Sequence, residues 1–177
     1  MVSLVIVETV TEQILTDELL ASADRQITPC IQARNATWRY SLLSSDRHRM
    51  ICIYDAPDAE SIRDAYRRGG LASSRAWAGY VIQPEGTTLP TWNESTLKIQ
   101  ESTYPTGLTD EQCNKERQHL LPCYAEYGVE WIRSYVSLDT TRVLCELNAP
   151  DAEVIRHAHR RFGFPCDRVW SAQVFGP

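Results

Sequence analysis

Arg133 and Glu146 are the side chains in this sequence that most invite chemistry. A guanidinium fork holds a carboxylate or similar anion at two points. A carboxylate beside it can balance that charge or move a proton. Both residues fall in alternating runs that read as strands, WIRSYVSL around Arg133 and RVLCEL around Glu146. Strand parity groups Lys98, Gln100, Trp131, Leu144, Val169, Ser171 and Gln173 with the pair on one face. Gln100, Trp131, Tyr135 and Gln173 are then the groups that would contact or orient a ligand. A few polar side chains in an otherwise apolar cavity is how small-molecule sites are built. The other reading is a buried ion-pair network, or a face that meets water.

Other reactive types are present in less telling patterns. His157 and His159 are two apart on an expected helix, so they point about 200° away from each other and cannot chelate one ion together. His159 borders the core face and reads as a packing residue, whereas His157, His48 and His119 read as surface residues. None of the six cysteines forms a CxxC pair. Cys52, Cys145, Cys30 and Cys123 read as small buried hydrophobes, and Cys166 as the most exposed thiol. Glu8 and Glu101 lie among apolar strand residues and need partners, for which Arg75 and Arg168 are candidates. There is no glycine-rich phosphate loop, nucleophile elbow or HExxH.

The scaffold that must position these groups is a duplication. YDAPDAESIRDAYRRGG, from Tyr54, repeats as LNAPDAEVIRHAHRRFG, from Leu147. A constant offset of 93 residues also aligns Glu8 with Glu101, Trp38 with Trp131, Cys52 with Cys145 and Trp77 with Trp170, without a gap. Residues 1–84 are the first copy, 96–177 the second, and the turn-rich 85–95 between them reads as a linker. Arg133 and Glu146 align with Tyr40 and Ile53, so the charged pair would make one site per chain, lying between the two sheets.

Within the second copy, LKIQES predicts a strand, and Thr109 to Gln112 reads as a capping box opening a helix that Pro122 should kink or interrupt. Two strands follow around a hairpin at Asp139-Thr140-Thr141. Asp151 should cap a second helix, Gly163 should end it, and RVWSAQVF closes the copy as a strand. The order βαββαβ is the split βαβ of ferredoxin-like folds. The fold class is therefore α+β, with two tandem domains whose exposed sheet faces would cover each other as a pseudo-dimer, resembling dimeric α/β barrels.

CELNAPDAEVIRHAHRRFGFPCDRVW resembles the signature of a family of small bacterial ferredoxin-like domains of unknown function. The first copy departs from it by lacking the proline and aspartate found at Pro165 and Asp167. One branch of that family is described as nickel-binding, so the resemblance implies nickel as a cofactor without assigning its ligands. The net charge of -5 argues against nucleic acid. No apolar run is long enough to span a bilayer, and no secretory signal opens the chain, so the expected location is the cytoplasm. Three functions follow: a protein binding a small molecule or a metal ion, an enzyme with Arg133 and Glu146 as catalytic pair, or an interaction module. Self-association into a homo-oligomer is compatible with each.

Overall fold

The computed structural model describes residues 2–73, 75–86 and 92–176. Part of the expected linker, 87–91, lies outside the described residues. The chain divides into two compact units, Met1–Gly79 with Gln173–Pro177, and Tyr80–Ala172. No described helix is long and apolar enough to cross a membrane.

The first copy runs β1 (Ser3–Val10), α1 (Asp17–Gln32), β2 (Thr37–Ser44), β3 (Arg49–Ala56), α2 (Ala59–Arg68) and β4 (Arg75–Ile82). The second repeats it as β5 (Leu97–Thr103), α3 (Asp110–Glu126), β6 (Glu130–Ser137), β7 (Arg142–Asn148), α4 (Ala152–Phe162) and β8 (Arg168–Phe175). In each copy the first strand pairs with the third and fourth, and the second with the third, all antiparallel. This is the expected ferredoxin-like sheet, twice over.

The helices begin where their caps stand. Thr16, Asp58, Thr109 and Asp151 each accept from a backbone amide of the first turn, and Gln112 completes the capping box at Thr109. Gly163 ends α4 at φ 70°, a left-handed cap that costs a residue without Cβ little. Pro29 and Pro122 do not interrupt their helices. Each sits close to the C-terminus, where few further turns depend on the backbone bond that proline removes.

Residues facing each other across a ladder share a side of the sheet. Val5, Val7, Cys52, Tyr54 and Ala76 therefore share one face of the first sheet, and Ile27 and Ile31 of α1 with Ile62, Ala65 and Tyr66 of α2 pack on it. In the second unit Leu147 and Val169 pack likewise against Leu120, Cys123, Tyr124, Ile155 and Ala158. Only Ile27 and Ile31 of α1 are buried, so the N-terminal half of that helix stands off its sheet.

Candidate functional site

Between α1 and the sheet the first unit holds a cavity of about 630 Å3 that opens to solvent on one side. Leu20 and Ile27 wall it on the helix side, Met50 and Trp38 on the strand side, and Phe175 meets Trp38 edge-on with ring centroids 6.0 Å apart. At its floor Trp38 Nε1 donates to Ser41 Oγ (2.9 Å), which donates to Cys52 Sγ (2.9 Å). Alongside, the hydroxyls of Tyr54 and Tyr66 share a hydrogen bond of 2.9 Å. Burial pushes the Cys52 thiol and both phenols above their ordinary values, so all three are neutral at pH 7. Val10 and Leu19, both exposed, continue the apolar lining outward, and Asp24 adds a carboxylate from an exposed position on α1.

The second unit keeps the same frame and fills the space. Trp131 Nε1 donates to Ser134 Oγ (2.9 Å), which lies 3.0 Å from Cys145 Sγ, whose burial raises its thiol to about 12. The equivalent cavity is about 70 Å3. Thr11, Ala23 and Ile31 of the first copy are replaced by Tyr104, Glu116 and Tyr124. These enter the space and find partners there: Tyr104 Oη donates to Glu116 (2.6 Å), and Tyr124 Oη lies 2.8 Å from His159 Nε2. Burial raises the Glu116 carboxyl, partly offset by the Tyr104 bond, and lowers the His159 imidazole. The sequence signal for the cavity is a difference between the copies: at one fixed offset, smaller side chains just after β1 and on α1 align with larger ones just after β5 and on α3.

The residues expected to form one site divide between two faces. Arg133 pairs with Glu146 across the β6–β7 ladder, as does Tyr135 with Leu144, on the face away from the helices. Gln100 and Trp131 lie on the helix side, opposite Cys145 and Leu147. Simple parity failed at a register shift between Trp131 and Arg133, where an extra residue turns side chains two apart to opposite sides. Parity also mismatched β5, since Glu146 stands opposite Ile99 rather than Gln100. Gln173 is exposed. Arg133 and Glu146 do meet, with Nε 3.4 Å from Oε2, and are 9% and 1% exposed. Trp92 Nε1 donates to Glu146 (2.9 Å) while its ring lies 5.8 Å from the Arg133 guanidinium.

Glu101 accepts from Trp170 Nε1 (2.7 Å) and pairs with Arg142 at 2.7 Å, closer than the expected Arg168 at 3.5 Å. Glu8 accepts from Trp77 Nε1 (2.7 Å) in the same way. These are structural anchors repeated in both copies.

The described residues do not fit a nickel centre within the chain. Nickel needs several imidazole, thiolate or carboxylate donors converging on one point. Among the described residues no group of three or more His, Cys, Asp or Glu does so. His48 bonds the Thr11 carbonyl, His119 the Lys115 carbonyl and His159 the Pro165 carbonyl, and His157 packs on Tyr127, so the four histidines occupy four separate places.

The sequence profile of the family described as nickel responsive protein SCO4226-like matches residues 5–78 and again 99–171. No curated protein matches the chain. Among solved structures, SCO4226 from Streptomyces coelicolor A3(2) is 19% identical, spans 41% of this chain and 90% of its own, and has a TM-score of 0.38. TA0507, a candidate chlorite dismutase, is 11% identical over 99% of this chain and 95% of its own, with a TM-score of 0.52, a likeness of fold. A heme-binding protein from Thermus thermophilus is 9% identical over 99% of this chain and 92% of its own, with a TM-score of 0.48.

Proposed function

The chain belongs to the nickel responsive protein SCO4226-like family, and from that premise we propose that it binds a small, largely apolar molecule between the helices and the sheet of its first unit. The observation that carries this reading is the contrast between two copies of one frame. The first retains about 630 Å3 where the second retains about 70 Å3. Ligand pockets range over roughly 300–1,000 Å3. An unfilled space of that size forgoes dispersion contacts that its walls would otherwise make. The second copy fills the same space with ordinary side chains, so the backbone does not require the void.

The family description names nickel, and this reading assigns no nickel to the chain's own residues. Arg133 and Glu146 serve in this reading to anchor Trp92 after the segment that joins the copies, and Tyr135 lies on the same face opposite Leu144. Gln100, Trp131 and Gln173 take no part in the ligand site.

Titrating the full chain with N-phenyl-1-naphthylamine, a neutral fluorophore that brightens in apolar surroundings, tests the proposal. Saturable binding of one probe per chain is expected. The Thr11→Tyr/Ile31→Tyr variant, which imports the second copy's residues, should lose binding and keep its far-UV circular dichroism. Absence of saturable binding to the native chain, or unchanged binding to that variant, contradicts the proposal.

A further inference from the structure

Resting on that reading, we infer that the first unit's cavity is selective for uncharged ligands and rejects anions such as carboxylates, phosphates and sulfonates. Among the described residues that line it there is no lysine, arginine or histidine. An anion moved out of water needs an opposite charge and hydrogen bonds to offset its lost hydration. The cavity supplies no such charge.

The formal charge that does belong to its lining is Asp24, which has the wrong sign for an anion. The fold does not impose this choice. The aligned residue of the second copy is Arg117, which lines the small cavity there. The two copies therefore carry opposite charges at one position of the shared frame, and the copy with the large cavity carries the negative one.

The deep polar groups fit the same assignment. Tyr54, Tyr66, Ser41 and Cys52 are neutral groups that donate and accept. Hydroxyls of this kind match an alcohol, phenol or carbonyl on a ligand and offer no compensation for a full negative charge. A mainly apolar molecule with one or two neutral oxygens is the class this lining recognises.

Two fluorophores with the same rings separate the possibilities. The neutral probe is N-phenyl-1-naphthylamine, and 8-anilino-1-naphthalenesulfonate adds one sulfonate to the same skeleton. At pH 7 the sulfonate should bind the native chain at least about tenfold more weakly than the neutral probe. Asp24→Arg should strengthen sulfonate binding. Only binding that the Thr11→Tyr/Ile31→Tyr variant abolishes is counted, which confines the readout to this cavity. If the sulfonate binds there as tightly as the neutral probe, or more tightly, charge selectivity is overturned while the binding reading stands. If neither probe binds, the binding reading itself falls and this inference falls with it.

Discussion

Exchanging one residue between the copies should have opposite consequences in the two directions. Tyr124 is 5% exposed, and its hydroxyl lies 2.8 Å from Nε2 of His159, itself 2% exposed. Tyr124→Ile removes that partner and leaves a buried imidazole nitrogen without it, which costs about 1–3 kcal/mol. The smaller side chain also opens several tens of Å3 at about 24 cal/mol per Å3, adding roughly 1 kcal/mol. The sum is a loss of about 2–4 kcal/mol. The reverse change, Ile31→Tyr, pushes a phenol into a cavity of about 630 Å3. Ile31 lines that space, which has room for the added ring, so the usual overpacking cost of about 1–3 kcal/mol should be largely avoided, and stability should stay within about 1 kcal/mol of the native chain. Urea denaturation of the full chain, followed by circular dichroism at pH 7, measures both. A neutral Tyr124→Ile, or an Ile31→Tyr that loses more than about 2 kcal/mol, would refute the claim that the copies differ in how this space is filled.

Three further outcomes follow from the same geometry. Burial holds the His159 imidazole below its ordinary value, so the unfolded chain binds the proton more readily. Its contribution to stability is present above the unfolded value near 6.5 and is lost as pH falls through the folded one, and His159→Gln should flatten that decline in denaturation midpoints taken across the range. Glu146→Gln breaks a buried pair and should lower stability by about 3 kcal/mol while leaving binding of the neutral probe unchanged; loss of binding with stability intact would instead place the pair in a ligand site. Asp151→Ala should cost about 1 kcal/mol, because its carboxylate accepts from Val154 N (3.0 Å), and an unmoved denaturation midpoint would exclude that cap.

The duplication, the order of elements and the caps were legible because each rests on local signals. One offset of 93 residues aligns the copies, and Thr109, Asp151 and Gly163 end helices by contacts within a few residues. The distribution of residues between sheet faces was not legible in the same way. It depends on a single-residue shift after Trp131 in the second copy and after Trp38 in the first, and a bulge leaves no composition signature. Arg142 was missed as partner to Glu101 because the pairing register, not proximity in sequence, brings it there. The cavity was missed for a different reason. Charged residues are the conspicuous signal of chemistry in a sequence, whereas the informative differences here are Thr11, Ala23 and Ile31 against Tyr104, Glu116 and Tyr124. Each is unremarked in its own copy and gains meaning only when the two are compared.

The central claim is that one copy holds a ligand and the other, built on the same frame, does not. The five tryptophans give five indole N–H signals in a 15N-labelled chain, and Trp38 and Trp131 occupy equivalent places in the two copies. Trp38 lines the large cavity and Trp131 the small one. On titration with N-phenyl-1-naphthylamine, the Trp38 indole signal should shift and saturate while that of Trp131 stays in place. A shift at Trp131 with Trp38 unmoved, or equal shifts at both, would contradict the account.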